Sequence, residues 1–180
     1  MLIGSRIRLR AIERSEIPML TGWFNDPEIR QYIPLYWTMS QADEERWFDQ
    51  MLQRPPELHP MMIDALTPEG WQPIGDCGFN EVSWVNRSGE IGIVIGDRRY
   101  WGKGYGSDAV RMLLRYGFTA LNLNRIELEV YQNNPRAIRS YEKVGFVHEG
   151  RKRQAMFKSN VYQDVLIMAV LRSEWEDTRI

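Results

Sequence analysis

Short segments of the chain alternate between apolar and polar residues, the pattern of a strand with one face on a core. In the first of them, Ile7 and Leu9 alternate with Arg6, Arg8 and Arg10. Turn residues bound several segments, as in Thr67-Pro68-Glu69-Gly70 and Asn86-Arg87-Ser88-Gly89. The predicted strands are residues 3–12, 60–67, 72–84, 89–96, 126–131, 146–157 and 161–171.

Helical spacing with start and stop signals marks the segments between the strands. Ser40 and Asp43 resemble a capping box in which Asp replaces Glu, and Asn25-Asp26-Pro27 breaks an earlier helical segment in two. The order of elements predicts an α/β (α+β) fold, with a mixed, mostly antiparallel sheet of about six or seven strands and helices on both faces. Because no linker divides the chain, we expect a single domain over residues 1–180. The predicted helical segments are residues 14–32, 40–53, 110–116 and 134–144.

The composition narrows the classes of function. With 23 basic and 24 acidic residues the net charge is −1, so no overall field attracts nucleic acid or an anionic membrane. Cys77 is the single cysteine, which excludes an intrachain disulfide and fits a cytoplasmic protein. No apolar segment approaches the ~20 residues needed to span a bilayer. His59 and His148 are isolated and lack metal-ligand spacing, so no metal is expected.

A glycine-rich stretch carries the main chemical signal. Trp101-Gly102-Lys103-Gly104-Tyr105-Gly106 follows the apolar strand segment Ile91–Ile95 and runs into a predicted helix. The start of a helix offers unpaired N–H groups and the positive end of its dipole, so this order predicts an anion-binding cradle. A dinucleotide-binding unit is one alternative. Glu127 and Glu129 lie near the expected distance for its acidic residue, although the glycine spacing differs.

A second block turns this signal into a family resemblance. The stretch Asn134-Pro135 through Tyr141 to Gly145-Phe146, together with the glycine-rich stretch, resembles the GNAT superfamily of acetyl-CoA-dependent N-acetyltransferases. Much of that superfamily has Gln or Arg where this chain has Trp101. Trp101 and the tail from Glu149-Gly150 to Tyr162-Gln163-Asp164 are similar to the branch of ribosomal-protein N-terminal and spermidine acetyltransferases.

The resemblance implies acetyl-CoA as co-substrate and assigns residues to it. Backbone N–H groups of the cradle face the pyrophosphate, and the strand backbone before the cradle pairs with the pantetheine like an added strand. That pairing requires the fourth and fifth predicted strands to splay apart. Asn134 is both a helix N-cap and a pantetheine contact. The implied residues are Ile93, Val94, Ile95, Trp101, Gly102, Lys103, Gly104, Tyr105, Gly106, Ser107 and Asn134.

Two residues carry the chemistry that the resemblance implies. Tyr141, two turns beyond Asn134 on the same helix face, matches the general acid that protonates the departing CoA thiolate. Glu129 matches the position of a proposed general base for the acceptor amine, although strand glutamates often face solvent or pair with a basic residue. The other candidates for the base are an ordered water, Glu90, Asp76 and Glu81.

These features predict an N-acetyltransferase that uses direct transfer in a ternary complex. The acceptor is a primary amine of a protein N-terminus, a polyamine or another small amine, with no nucleic acid or membrane as partner. In the aromatic loop, Tyr36 and Trp37 are expected to line the acceptor site, since ring faces attract cations. Relatives are often dimers, so the resemblance also implies a homodimer as one state. A non-catalytic acyl-CoA-binding module is the alternative function.

Overall fold

Eight strands within residues 1–175, the part of the chain that the computed structural model describes, form one sheet. The strands are β1 Leu2–Ile3, β2 Ile7–Ala11, β3 Met61–Thr67, β4 Gly70–Ser83, β5 Ser88–Ile95, β6 Arg125–Tyr131, β7 Val147–Lys158 and β8 Val161–Leu171. They lie in the order β1-β2-β3-β4-β5-β6-β8-β7, and only β5 and β6 are parallel neighbours. This mostly antiparallel sheet confirms the predicted fold class and is unlike the parallel sheet of a dinucleotide-binding unit.

Local sequence signals mark the start of α3 and the end of the last helix as predicted. Ser40 accepts a hydrogen bond from the N–H of Asp43, whose side chain accepts from the N–H of Ser40, which completes the capping box. Gly145, at φ 104°, ends the last helix. No helix within residues 1–175 is long and apolar enough to cross a membrane. The helices are α1 Ile17–Asn25, α2 Pro27–Arg30, α3 Gln41–Met51, α4 Tyr105–Arg115 and α5 Pro135–Val144.

Two predicted elements need correction. The segment 3–12 is not one strand: the N–H of Gly4 donates to the carbonyl of Ile7, and the chain folds back so that β1 pairs with β2. This turn gives eight strands instead of six or seven. The helix predicted over 110–116 begins at Tyr105, inside the glycine-rich stretch, and continues into a π-helical turn at Tyr116–Ala120.

Apolar clusters on the two faces of the sheet hold the helices. The larger cluster packs α4 and α5 on one face, with Leu113 and Leu114 of α4 against Ile126 and Leu128 of β6. The smaller cluster includes Ile17 and Leu20 of α1, Phe48 and Met51 of α3, and Met62 of β3. We call the side covered by α1 and α3 the α3 face. The alternation of β6 leaves Glu127 and Glu129 on the side away from Ile126 and Leu128, which is the α3 face.

Strands β5 and β6 separate after three residue pairs. Ser88–Glu90 pairs with Arg125–Glu127, after which Ile91–Ile95 pairs only with β4 and Leu128–Tyr131 only with β8. These are the fourth and fifth predicted strands, so the expected splay is confirmed. The inner edges of both strands therefore carry backbone groups without a ladder partner, facing a gap.

A buried carboxylate fastens the first strands of the sheet. Asp64 of β3 is 1% exposed and accepts hydrogen bonds from Arg8 Nε at 2.7 Å and Arg10 Nε at 2.8 Å. Arg10 continues the network to Glu16 at the entry to α1. The predicted alternation of arginines in β2 therefore serves an internal ion-pair network rather than a solvated edge.

We expect Asp64→Ala to lower the free energy of unfolding by roughly 3 kcal/mol, because it leaves two half-buried guanidinium groups without their shared partner. Asp49→Ala is the matched control, since the Arg14–Asp49 ion pair is 54% and 62% exposed and should contribute less than about 1 kcal/mol. Urea unfolding monitored by circular dichroism measures both. Equal losses in the two variants would contradict the network.

Candidate active site

The glycine-rich stretch forms an open helix start at one end of the gap. Gly104 is the N-cap of α4 in the left-handed region, at φ 88°, and no side chain caps the helix. The first N–H groups of a helix have no partner within it, so those of Tyr105, Gly106 and Ser107 are available to an anion. Gly102 also has a positive φ, 71°. The predicted cradle is thus present as backbone geometry.

Arg6 fastens the cradle from the β1–β2 turn and was not predicted from the sequence. Its Nε donates to Asp108 Oδ2 at 3.0 Å, and its Nη1 donates to the carbonyl of Lys103 at 3.3 Å. Asp108 lies in the first turn of α4, where its charge would repel a phosphate. Its ion pairs with Arg6 and Arg111 offset that charge. In the sequence, Arg6 stood out only as one of the alternating arginines of the first predicted strand.

Ser107 joins α4 to α5 through its side chain. It is 6% exposed, and its hydroxyl hydrogen-bonds to that of Ser140 at 2.7 Å. The predicted phosphate contact of Ser107 uses its backbone N–H, which lies in the first turn of α4.

Trp101 connects the end of β5 with the start of α5. Its Nε1 donates to the carbonyl of Ile95 at 2.7 Å, and the guanidinium carbon of Arg136 lies 3.6 Å from its ring centroid. The ring of Tyr32 meets it edge-on at 6.5 Å. Burial lowers the pKa of Arg136. The Ile95 carbonyl is thus engaged within the protein, and the carbonyl of Val94 lies toward Gly75 of β4. Because successive residues of a strand direct their backbone groups to opposite sides, the groups left for the predicted pairing with pantetheine are those of Ile93 and the N–H of Ile95.

Asn134 has the predicted capping role. Its Oδ1 accepts from the N–H of Ala137 at 3.2 Å, and Pro135 occupies the first helical position. Cap formation uses the side-chain oxygen, and the amide nitrogen is the group left for a contact with pantetheine. That contact stays a prediction.

Tyr141 is buried on α5 within the larger apolar cluster. It is 8% exposed, and its ring lies 5.9 Å from that of Phe146, centroid to centroid. Burial raises the pKa of Tyr141 to about 12, because an apolar environment disfavours the phenolate. The hydroxyl therefore keeps its proton at neutral pH, as a proton donor must.

Glu129 lies on the α3 face at the wall of the gap. It forms an ion pair with Lys152 of β7, and this pair, together with Glu90 and Glu127 nearby, raises the pKa of Lys152. Glu127 pairs instead with Arg125. The structure therefore shows that Glu129, the predicted base, is engaged with a lysine.

The other base candidates occupy neighbouring strands. Glu90 Oε1 accepts from Asn80 Nδ2 at 3.1 Å, while Glu81 is exposed. Asp76 lies opposite Val94 in the β4–β5 ladder. Burial and then the charge of Glu44 raise the pKa of Asp76 to about 7. Glu44, which was not predicted as a site residue, is thus part of this region.

The aromatic loop between α2 and α3 lies beside the far end of β6. Lys158 of β7 donates to three of the carbonyls at its start, those of Arg30, Ile33 and Leu35. Tyr36 is 55% exposed. Burial, together with the nearby Tyr36 phenol and the charge of Glu129, raises the pKa of Tyr131 to about 12. Tyr36 and Glu129 are thus both near Tyr131, and the Lys158 ammonium lies over the Tyr36 ring at 5.2 Å. Trp37 is 64% exposed in the same loop.

Both histidines have structural contacts. His59 Nε2 hydrogen-bonds to the carbonyl of Arg54 at 2.9 Å, and His148 Nε2 lies 3.0 Å from Glu142 Oε1. Within residues 1–175, no three His, Cys, Asp or Glu side chains come together as a metal site would require.

Comparison with known proteins gives consistent matches. A family model described as an acetyltransferase (GNAT) domain matches residues 6–147. An uncharacterised N-acetyltransferase, p20, of Bacillus licheniformis is 33% identical, with 97% of each chain covered. A spermidine N(1)-acetyltransferase of Vibrio cholerae is 31% identical, covering 96% of this chain and 97% of the relative.

A solved structure extends the match to the fold. The spermidine N-acetyltransferase of Vibrio cholerae, crystallised with CoA and spermine, superimposes with a TM-score of 0.86 at 30% identity. The match covers 95% of this chain and 98% of that one.

We expect Gly104→Ala to weaken CoA binding tenfold or more, about 1.4 kcal/mol, because an added Cβ would lie 3.2 Å from Arg6 Nη2 and disturb the contact that fastens the cradle. Gly70→Ala is the control, since Gly70 has a φ of 105° and lies in a turn with no atom within 4 Å of an added Cβ. Both substitutions should cost about 1 kcal/mol of stability through left-handed strain. Calorimetry with CoA separates them, and equal affinities would argue against the cradle.

Proposed function

Because the chain belongs to the GNAT acetyltransferase family, we propose that it transfers the acetyl group of acetyl-CoA to a primary amine of a di- or polyamine. Transfer is direct, in a ternary complex with both substrates. The observation that carries the proposal is the gap between β5 and β6, with the cradle at one end and carboxylates on its α3 face. The named Vibrio cholerae relatives support the acceptor class.

The donor fits the groups that surround the gap. N–H groups of Tyr105, Gly106 and Ser107 bind the pyrophosphate, where the helix dipole favours negative charge. The backbone of Ile93 and the N–H of Ile95 supply the free edge that amide groups of pantetheine can extend. A backbone N–H in this strand polarises the thioester carbonyl, which is the group on which negative charge develops during attack.

Tyr141 protonates the departing thiolate. Its phenol is protonated at neutral pH, since its pKa is about 12. A thiolate formed in apolar surroundings is a stronger base than in water, because burial disfavours its charged form as well. The proton then moves efficiently only when the hydroxyl is held close to the sulfur, which burial of the Tyr141 ring in the core provides.

The acceptor ammonium must lose a proton before its nitrogen can attack the thioester. Glu129 at the wall of the gap, acting directly or through a water, is our candidate for this step. To act, the Glu129 carboxylate releases the Lys152 ammonium and binds the acceptor ammonium in its place. Such an exchange is feasible because the two side chains are 39% and 50% exposed, and exposed ion pairs contribute little stability.

A cationic acceptor suits the charges on the α3 face. Glu90 of β5 and Glu127 of β6 form the last pair before the gap opens, Glu129 lies farther along β6, and Lys152 interacts with all three. Tyr36 adds a ring near Tyr131 at the end of β6, and that ring already has an ammonium group, that of Lys158, over its face. A protein amino terminus offers a single cation to this surface, whereas a polyamine offers several.

The proposed function is tested with a panel of amines and acetyl-CoA. We expect thiol release with diamines and polyamines, a mass increase of one acetyl group in the product, and initial-rate lines that intersect when both substrates are varied. Parallel lines would contradict a ternary complex. Activity only with peptides that have free amino termini would contradict the polyamine acceptor.

We expect Tyr141→Phe to lower kcat about 100-fold, while the dissociation constant for CoA changes less than about twofold. Phe keeps the ring contact with Phe146 and removes only the hydroxyl. Tyr116→Phe is the control, because Tyr116 packs against Phe79 at the opposite end of α4 and should leave kcat unchanged. An unchanged kcat in Tyr141→Phe would remove the acid role.

A further inference from the structure

Two carboxyl groups lie on the α3 face without a cationic partner. Glu44 of α3 is 2% exposed, and none of residues 1–175 donates a hydrogen bond to it or forms an ion pair with it. Asp76 of β4 is partly exposed, but its Oδ1 is buried and has no hydrogen-bond partner within the same residues. Neither group takes part in the catalytic steps assigned above.

Packing places the two groups near each other. Glu44 precedes Phe48 by one helical turn and shares its face of α3. Phe48 packs in the smaller apolar cluster with Met62, and Met62 is the β3 residue paired with Asp76. The charge of Glu44 adds to the burial that raises the pKa of Asp76.

This arrangement is unfavourable in the free protein. A buried carboxylate without a partner loses favourable hydration, and two like charges at one site oppose ionisation of both. Asp43, next to Glu44 on α3, is engaged with Ser40 and Arg46, and its charge raises the pKa of Glu44 further. An inserted cation would relieve the repulsion and give Asp76 Oδ1 a hydrogen-bond partner.

The position of the pair suits the acceptor. Asp76 is the direct ladder partner of Val94, which lies between Ile93 and Ile95 on the strand whose free edge we assign to the donor. Glu90, on the same strand as Val94, lies on the same face. The gap, where one amine reacts, and the Glu44–Asp76 pair therefore share one face of the sheet, which a chain of methylene groups would follow to reach both.

We propose that Glu44 and Asp76 form a subsite that binds the second ammonium group of the acceptor, the one that is not acetylated. An ammonium group has three N–H donors, enough for both carboxyl groups. Selectivity for diamines over monoamines then comes from this pair. The inference rests on the proposed function and names the residues that would set its acceptor preference.

The test compares a diamine with a monoamine of similar chain length, in wild type, Glu44→Gln and Asp76→Asn. Each variant should lower kcat/KM for the diamine tenfold or more through KM, while kcat/KM for the monoamine changes less than threefold. Glu45→Gln is the control, because Glu45 lies on the exposed side of α3 and accepts from Gln41. Equal effects on both amines, or none on the diamine, would overturn the subsite.

Binding without chemistry gives a second readout. The diamine alone should raise the melting temperature of wild type and Glu45→Gln, but not that of Glu44→Gln or Asp76→Asn. The same increase in all four proteins, or an increase produced by Mg²⁺ and not by the diamine, would also overturn the subsite. If wild type binds the diamine in this way but acetylates no amine, the proposed function fails and the subsite does not.

Discussion

The divergence of β5 and β6 is the constraint on which the rest of the structure depends. Backbone N–H and C=O groups inside a protein need partners, yet these two strands stop pairing after Glu90 and Glu127. Along their inner edges, backbone N–H and C=O groups lack a partner strand, and a ligand can form hydrogen bonds with them. The start of α4, the start of α5 and the aromatic loop all lie around that gap. Each can contact a bound ligand because β5 and β6 are separated there.

Contacts between distant segments hold the gap open. Arg6 reaches the cradle from the β1–β2 turn, Ser107 bonds to Ser140 between α4 and α5, and Arg136 stacks on Trp101. Each contact joins the two sides or anchors one of them. A polar edge with such supports is pre-organised, which reduces the cost of ordering the site when a ligand binds.

Local signals made much of this predictable. The capping box at Ser40, the stop at Gly145 and the strand alternation of β6 depend on neighbouring residues, and the structure shows them within a few positions of their predicted bounds. The turn at Gly4 was missed because β1 contributes only two residues, too few for a period. The contacts of Arg6, of the Trp101 indole and within the Glu44–Asp76 pair were not predicted, because the partners are far apart along the chain. The spacing of apolar residues indicates local structure and not contacts between distant segments.

The central claim is that acetyl-CoA binds between the cradle and the free edge of β5. Hydrogen–deuterium exchange of the free protein and of its complex with CoA tests this most directly. We expect slower exchange of backbone amides in residues 91–95 and 103–107, with little change in the β7–β8 hairpin. Protection confined to the cleft of about 520 Å³ lined by Met19, Trp23 and Tyr100 would contradict the account.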